Sequence, residues 1–321
     1  MRIAVLDDYQ GVARDFADWE SLGDDVTVFR DTVSGPALVE RLRPFEVVCL
    51  MRERTPVRAD LLAELPNLRL LVTTGMWNAS VDVAAATARG VTVCGTEGYG
   101  PATAHLCMTL ILVATRRMLP DMLGMRQGAY QRTIGRDLGG LTLGLLGLGK
   151  LGQEVARLAT PFGMKPLAWS TNLTRDKAAA AGVEYAPSLD ELMARSDVLS
   201  IHLVLSERSR GLVGAHELGL MKDDAVLVNT SRGPIVDEAA LVAGLHAGRP
   251  AVAALDVFDT EPLPVDHPLR DPALIDAGRL VLTPHIGYVS KATYEVFYPQ
   301  TVEAIAAWKA GRPVRVLQPR A

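Results

Sequence analysis

The sequence predicts an α/β protein built from two doubly wound parallel sheets. Short aliphatic and β-branched runs alternate with stretches of helical character along the chain, which is the pattern of βαβ units. Runs that contain almost no polar residues are typical of strands buried on both faces of a parallel sheet. About eleven such runs occur, more than one ordinary open sheet holds, so two sheets of five or six strands each are expected.

Five of the expected strands fall in the first hundred residues and six follow them. In chain order they are RIAVLD (2–7), VTVF (26–29), EVVCLM (46–51), LRLLVTT (68–74), VTVCG (91–95), LTLGLLG (141–147), PLAWS (166–170), VLSIHL (198–203), AVLVNT (225–230), AVAALDVF (251–258) and RLVLTPH (279–285).

Two helices are expected to join or complete the domains. The stretch from Gly98 to Arg117 starts with glycine and proline, continues as a long apolar run and ends in arginines, as a helix that crosses between domains would. The segment 301–310 has apolar residues at helical spacing and stops before Gly311 and Pro313. We expect it to pack back on the first domain, which is then discontinuous in sequence.

Composition narrows the class of function. With 49% hydrophobic and 22% charged residues, the chain has the composition of a soluble globular protein. A net charge of -4 offers no broad attraction for nucleic acid or an anionic membrane. The opening MRIAVLDDYQ is neither a signal nor a transit peptide, and the apolar stretch 106–115 is far shorter than a bilayer requires. A small-molecule partner is therefore expected, with no nucleic-acid or membrane partner.

The three cysteines predict buried thiols. Cys49, Cys94 and Cys107 all stand inside apolar runs, and they show no Cys-x-x-Cys spacing. An odd number without a disulfide pattern suits a reducing, cytoplasmic location. No metal site is expected.

A glycine-rich turn follows the strand at 141–147. Gly147-x-Gly149-x-x-Gly152 comes directly after this strand and before the helical stretch 153–163. The glycines of such a turn allow a tight bend, close approach of the backbone to a pyrophosphate and close helix–strand packing. The start of the helix then offers free N–H groups and its positive dipole end to the phosphates. A dinucleotide site is predicted here.

The end of the next strand bears on the choice of cofactor. An acidic residue there would bind the ribose 2′-hydroxyl of NAD, but Ser170 holds the position, followed by Thr171 and Asn172, with Arg175 nearby. These side chains can donate hydrogen bonds to a 2′-phosphate, which favours NADP over NAD. Hydrogen bonding to the ribose of either cofactor is the alternative.

Three chemically useful residues each follow one of the last strands. Arg232, Glu261 and His285 should meet at one sheet edge, because ligands collect at the carboxyl ends of parallel strands. Arginine can fork onto a substrate carboxylate, and histidine can exchange the proton of a 2-hydroxyl group while an adjacent glutamate favours its protonated ring. The alternatives are a surface salt bridge for Arg232, a solvated turn carboxylate for Glu261 and a strand-end cap for His285.

Four motifs closely resemble the D-isomer-specific 2-hydroxyacid dehydrogenases. They are GLGKLG (147–152), VNTSRGPIVDEAALVAGL (228–245), ALDVFDTEPLP (254–264) and TPHIG (283–287). The resemblance implies a flavodoxin-like substrate domain (1–98 and 289–321), an inserted Rossmann dinucleotide-binding domain (99–288), an active site between the domains and a homodimer. It also implies hydride transfer between NAD(P)H and a small 2-oxo or 2-hydroxy acid, giving the D-isomer.

By position, Arg232, Glu261 and His285 match the family's catalytic arginine, acid and histidine. Asp256 matches the aspartate that binds the nicotinamide carboxamide, with capping of a strand end as its alternative. The expected cofactor-binding residues are Gly147, Gly149, Lys150, Leu151, Gly152, Ser170, Thr171, Asn172, Leu205, Thr230, Ser231, Asp256 and Gly287. The expected substrate-binding residues are Arg52, Gly75, Met76, Trp77 and Tyr288.

Some positions depart from the family's pattern. Trp77 and Tyr288 stand where glycine is usual, and His105 where glutamate is common. The two aromatic rings either favour larger 2-oxo acids or pack within the protein. Of the remaining histidines, His202 is expected in the core with hydrogen-bond partners, and His216, His246 and His267 at the surface.

Two rival functions share this scaffold. One is a family member that acts on formate, phosphite or 3-phosphoglycerate. The other is a cofactor-sensing, corepressor-like binding protein, which could retain Arg232, Glu261 and His285. Turnover of 2-oxo acids distinguishes an enzyme from the binding protein.

Overall fold

A computed structural model describes residues 1–319. The chain forms two compact units, one made of Met1–Gly100 with Val289–Ala321 and the other of Pro101–Tyr288. The sequence placed the first division two residues earlier, after residue 98. Both units are α/β, so the predicted fold class is confirmed.

All strand pairs within the two sheets are parallel. The strands are β1 (Arg2–Val5), β2 (Asp25–Val28), β3 (Val47–Leu50), β4 (Leu70–Thr73), β5 (Thr92–Gly95), β6 (Thr142–Leu146), β7 (Lys165–Trp169), β8 (Glu184–Tyr185), β9 (Val198–Ile201), β10 (Val226–Asn229), β11 (Val252–Leu255) and β12 (Leu280–Leu282).

The helices cover the faces of the sheets. They are α1 (Ala13–Phe16), α2 (Gly35–Leu42), α3 (Ala59–Ala63), α4 (Val83–Ala88), α5 (Ala102–Thr115), α6 (Met118–Arg126), α7 (Lys150–Ala159), α8 (Arg175–Ala180), α9 (Leu189–Arg195), α10 (Ala215–Leu220), α11 (Glu238–Ala247), α12 (Pro272–Asp276) and α13 (Lys291–Lys309).

The first unit has a five-stranded sheet in the order β2-β1-β3-β4-β5, the order of flavodoxin-like folds. Every residue of β3 and β4 is buried, as their continuous apolar runs require. Helix α13 belongs to this unit and begins ten residues before the expected helix at 301. Ser290 caps it by accepting the N–H of Thr293, and the helix continues through Pro299, a residue type that normally ends a helix.

The second unit has a seven-stranded sheet in the order β12-β11-β10-β9-β6-β7-β8. This count exceeds the expected five or six because β8 has only two residues, too short to leave a periodic pattern. The helix expected over 98–117 is α5, which lies in this unit with most of its residues buried. The strand order reverses between β6 and β9, so the crevice beyond their carboxyl ends is the expected place for a ligand.

The three cysteines are free and buried, as predicted. Burial raises the pKa of the Cys94 and Cys107 thiols to about 11, so both stay protonated near neutral pH. Among the described residues, no helix is long and apolar enough to cross a membrane.

Candidate active site

The glycine turn lies between β6 and α7, as predicted. Gly147 has φ +106°, a conformation that side chains disfavour, and a Cβ there would lie 2.9 Å from the carbonyl group of His202. A Cβ on Gly152 would lie 2.3 Å from the carbonyl oxygen of Gly147. Only glycine therefore fits at these two positions.

The turn leaves room for a phosphate group. A Cβ on Gly149 would meet no atom within 4 Å, and this residue is the N-cap of the ten-residue helix α7. Lys150 is exposed at the start of that helix, whereas Leu151 packs against the core. The N–H groups of the first turn and the open space over Gly149 fit the pyrophosphate of a dinucleotide.

The end of β7 carries the residues expected to meet the ribose. Ser170 is half-buried, and its carbonyl oxygen accepts the N–H of Leu173 in a turn that exposes Thr171 and Asn172. The Arg175 guanidinium lies 5.1 Å from the centre of the Tyr185 ring.

The loops that follow β9 and β10 are tied together. Ser231 donates its hydroxyl hydrogen to the carbonyl oxygen of Leu203 (2.5 Å). Thr230 is buried, and its hydroxyl oxygen has no hydrogen-bond partner among the described residues. Leu205 packs against the core below these loops.

A buried asparagine shapes the loop that carries Arg232. The Asn229 amide donates to the carbonyl oxygen of Arg232 (2.9 Å) and accepts the N–H of Ser231 (3.0 Å). Arg232 in turn donates from Nη1 to the carbonyl oxygen of Ser231 (2.7 Å). Sequence reasoning missed Asn229, although an asparagine that ends an apolar strand is a signal of a side chain hydrogen-bonded to the backbone.

Glu261 and His285 form a close pair. His285 Nδ1 lies 2.6 Å from Glu261 Oε2, and the side chains are 19% and 22% exposed. Glu261 Oε1 accepts the N–H of Phe258 (3.0 Å), which fixes the carboxylate. Because the carboxylate holds Nδ1, the Nε2 edge of the ring points away from Glu261.

Asp256 supports the turn that carries His285. It is fully buried and accepts hydrogen bonds from the Thr283 hydroxyl (2.6 Å) and from the N–H groups of Ile286 (2.8 Å) and Gly287 (2.9 Å). Burial raises its pKa, and these hydrogen bonds offset part of the rise. This geometry matches the strand-end cap, while contact with the nicotinamide carboxamide stays a prediction.

Backbone packing joins the segments that carry Arg232 and Glu261. A Cβ on Gly233 would lie 2.1 Å from the carbonyl carbon of Phe258 and 2.5 Å from the nitrogen of Asp259. Glycine at 233 therefore lets the two loops touch, which places the loop of Arg232 beside the loop of Glu261.

The ring of Tyr288 packs edge to face against the ring of His285, with a centroid distance of 6.0 Å.

The first unit carries the other residues expected to bind substrate. Arg52 donates from its N–H to the Thr74 hydroxyl (2.8 Å) and from Nη1 to the Thr74 carbonyl oxygen (2.9 Å). The Gly75 N–H donates to the Thr96 hydroxyl (2.8 Å).

Met76 and Trp77, which follow Gly75, are 47% and 43% exposed.

Two histidines differ from expectation. The ring nitrogens of His202 are buried, as expected of a core residue, but have no hydrogen-bond partner among residues 1–319. His267 is largely covered, at 21% exposure, whereas His216 and His246 are exposed as predicted.

The fold and this geometry define a class. The sheet is of the Rossmann type and carries a glycine cradle, and a carboxylate–histidine pair and an arginine follow its strands. This combination is typical of nicotinamide-dependent oxidoreductases.

Comparison with known proteins identifies the family. Residues 108–287 match the model of the D-isomer specific 2-hydroxyacid dehydrogenase, NAD binding domain. A glyoxylate reductase of Aeropyrum pernix is 38% identical over 266 residues, covering 80% of this chain and 78% of the relative. A glycerate dehydrogenase of Methylorubrum extorquens is 33% identical over 299 residues, and the match covers 90% of this chain and 91% of the relative.

A crystal structure of a phosphoglycerate oxidoreductase from Vibrio cholerae superimposes with a TM-score of 0.90 at 40% identity, covering 97% of this chain and 99% of that chain. The chain therefore belongs to the D-isomer-specific 2-hydroxyacid dehydrogenase family, and the predicted family resemblance is confirmed.

Proposed function

We propose that the protein reduces small 2-oxo acids to D-2-hydroxy acids with NAD(P)H and catalyses the reverse oxidation with the same residues. The observation that carries the proposal is the His285–Glu261 pair at 2.6 Å, in the same unit as the glycine cradle and the Arg232 loop. Family membership supports the reaction class.

In the proposed mechanism, Arg232 binds the substrate carboxylate with its fork of N–H groups and polarises the C2 carbonyl group. His285 donates the proton from Nε2 to the carbonyl oxygen as C2 becomes a hydroxyl-bearing carbon. Glu261 holds Nδ1 and stabilises the protonated ring before the transfer. A nicotinamide dinucleotide held at the glycine turn would supply the hydride in reduction and would accept it in oxidation. The positions of Gly147, Gly149 and Gly152 fit that group.

Steady-state rates with a panel of 2-oxo acids and both cofactors test the proposal. We expect turnover in the native protein, and we expect His285→Ala to reduce kcat by about 10² to 10⁴-fold, the usual contribution of a general acid. His216→Ala is the matched control, because that side chain is exposed on α10. Cofactor binding without turnover of any acid would instead favour the corepressor-like binding protein.

We propose NADP as the preferred cofactor. Ser170, Thr171 and Asn172 end β7 without a carboxylate, and such an end tolerates a 2′-phosphate. Replacing Ser170 with aspartate should shift kcat/KM toward NAD, because the new charge repels the phosphate. A native enzyme with a clear preference for NAD would refute this part of the proposal.

The substrate is proposed to be a small 2-oxo acid of the kind named in the relatives, such as glyoxylate. Arg52, Gly75, Met76 and Trp77 of the first unit and Tyr288 of the second are the residues proposed to bind it. Trp77→Gly should lower kcat/KM for longer 2-oxo acids relative to glyoxylate, because it removes the aromatic side chain that is expected to contact their longer carbon chain. An unchanged ratio would exclude Trp77 from the binding site.

We also propose a homodimer that forms through α6 and the segment after it. Met118, Met122 and Met125 of α6 are 42%, 57% and 61% exposed, and Tyr130 and Ile134 are 78% and 93% exposed. Exposed apolar surface of this extent marks an interaction site. Met125, Tyr130 and Ile134 line one groove of about 560 Å³, so two copies related by a two-fold axis can bury this apolar surface against each other.

Light scattering during size-exclusion chromatography tests the dimer. Ile134→Asp should convert a dimer to a monomer, whereas Val204→Asp, at another position that is 84% exposed, should leave the mass unchanged. A native monomer would refute the proposed interface.

A further inference from the structure

A second carboxylate–imidazole pair lies beside the catalytic pair. Glu238 is the first residue of α11, and its Oε2 lies 3.3 Å from Nε2 of His267. The two side chains are only 14% and 21% exposed. Glu238 Oε1 accepts the N–H of Asp259 at 2.9 Å. One carboxylate therefore contacts both ends of the segment 259–267.

The other ring nitrogen of His267 is also engaged. Nδ1 accepts the N–H of Leu269 at 3.2 Å, so the ring carries its hydrogen on Nε2 in the neutral state. That hydrogen faces the Glu238 carboxylate. The result is a chain of contacts from Asp259 through Glu238 and His267 to Leu269.

This chain encloses the turn that holds Glu261. Two successive backbone N–H groups are fixed by two carboxylates, because Phe258 donates to Glu261 and Asp259 donates to Glu238. Gly233 packs against the peptide that joins Phe258 and Asp259. The 258–261 turn is thus held by α11 as well as by its own glutamate.

The surrounding charges make the contact with His267 important. Burial is the largest cause that raises the pKa of Glu238, and the negative charges of Asp259 and Glu261 add to the rise, while the Asp259 N–H and His267 oppose it. The Asp259 carboxyl also interacts with Arg210 and Asp237. A carboxylate among like charges needs such donors to keep its position.

We propose that Glu238 is a positioning residue which, with His267, fixes the 258–261 turn so that Glu261 stays aimed at His285. This inference rests on the proposed oxidoreductase function. Neither residue touches the reacting atoms in the proposed mechanism, so both act through Glu261.

Steady-state kinetics of four variants test the proposal. Glu238→Ala should lower kcat about 10-fold or more, since misplacing a catalytic group costs rate, and should leave KM for the cofactor within about twofold. Glu238→Gln should recover part of the rate, because its amide oxygen can still accept the Asp259 N–H while its NH2 group faces the Nε2 hydrogen of His267. His267→Asn keeps an acceptor for Leu269 but is too short to reach Glu238, so an intermediate loss is expected.

The fourth variant, His216→Asn, is the control for loss of a histidine near a carboxylate, since His216 lies 3.6 Å from Asp190 on other helices. It should match the native rate. The proposal is overturned if Glu238→Ala keeps the native kcat, if Glu238→Gln loses as much rate as Glu238→Ala, or if His267→Asn is unaffected.

Hydrogen exchange measured by mass spectrometry separates this inference from the proposed function. The peptide that covers 257–266 should exchange faster in Glu238→Ala than in the native protein. In Glu238→Gln its protection should be partly restored. Both results are expected whether or not the protein turns over 2-oxo acids. A native protein without turnover but with this exchange pattern refutes only the function. Unchanged exchange in Glu238→Ala refutes the positioning role.

Discussion

His202 is the residue whose burial has the clearest consequence for stability. Both ring nitrogens are buried near the glycine turn, and burial lowers its pKa from 6.5 to about 4. Below pH 6.5 the His202 ring is protonated in the unfolded chain, whereas in the folded protein it stays neutral down to about pH 4. The folded state therefore loses stability as the pH falls through this window, on the order of 1 to 3 kcal/mol from this residue.

Urea unfolding at several pH values between 7 and 4 measures this effect. His202→Gln should flatten the fall in unfolding free energy, because glutamine does not titrate. The exposed His216→Gln should keep the native slope. Equal slopes in the native protein and in His202→Gln would contradict the assignment.

Glu261 provides a second prediction at the level of single residues. Its carboxylate meets His285 Nδ1 at 2.6 Å, and a neutral amide cannot stabilise the protonated ring in the same way. Glu261→Gln should lower kcat for reduction on the order of 10²-fold, and the pH optimum of reduction should move downward. Rates from pH 5 to 9 check this, with Glu191→Gln on α9 as control, and an unchanged pH profile would remove Glu261 from its role.

The sequence placed the site residues according to the strand that each one follows, and this rule needed no tertiary contact. Arg232 and His285 follow β10 and β12 in the structure, as expected. The contacts of Glu238 were not predictable, because its partners Asp259 and His267 lie 21 or more residues away in the chain. In the sequence alone, a glutamate at the start of a helix indicates only a favourable interaction with the helix dipole.

Asp197 joins several elements of the second unit at the start of β9. Its carboxylate accepts the N–H of Thr142 at β6 (2.8 Å), and it meets Lys222 Nζ (2.9 Å) and Arg136 Nη2 (3.2 Å). Burial alone would raise its pKa, but hydrogen bonds from Lys222, Thr142 and Arg136 outweigh burial and lower the pKa below 3.8. Asp197 therefore contributes fully to stability above pH 3.8, the ordinary pKa of the group. This contribution is lost as the pH falls toward the lower pKa that the group has in the folded protein.

Asp197→Asn should lower the unfolding free energy at pH 7 on the order of 2 kcal/mol, since it weakens hydrogen bonds between charged groups. The difference from the native protein should shrink below about pH 3.8. Urea titrations at pH 7 and pH 3 measure both effects, and Asp190→Asn, an exposed carboxylate, is the control. A difference that is the same at both pH values would contradict the role of the charge.

Elements with long apolar patterns were predictable, and elements defined by their neighbours were not. The eleven runs read from the sequence all contain strands in the structure. Strand β8 exists because Glu184 and Tyr185 pair with Leu167 and Ala168 of β7, a contact that no local pattern encodes. The early start of α13 depends on the Ser290 cap and on burial of its aromatic residues, which outweigh the cost of Pro299.

For the molecule as a whole, the division of the core can be tested by dissection. The second unit is continuous in sequence, Pro101–Tyr288, and its two apolar clusters draw only on residues of this unit. The first unit is discontinuous, and Tyr298 of α13 donates to the buried Asp8. We therefore expect a fragment of residues 101–288 to fold alone and a fragment of residues 1–100 to remain unfolded, because the latter lacks the buried face of α13.

Circular dichroism during heating and titration of cofactor fluorescence measure these outcomes. The 101–288 fragment should unfold cooperatively and bind NADH or NADPH, since the whole glycine cradle lies within it. The same fragment with Gly152→Ala should lose cofactor affinity, because the added Cβ would lie 2.3 Å from the carbonyl oxygen of Gly147. If the 101–288 fragment shows no cooperative transition, the cradle depends on the first unit for its stability, and the separate cores do not make the second unit an independent folding domain.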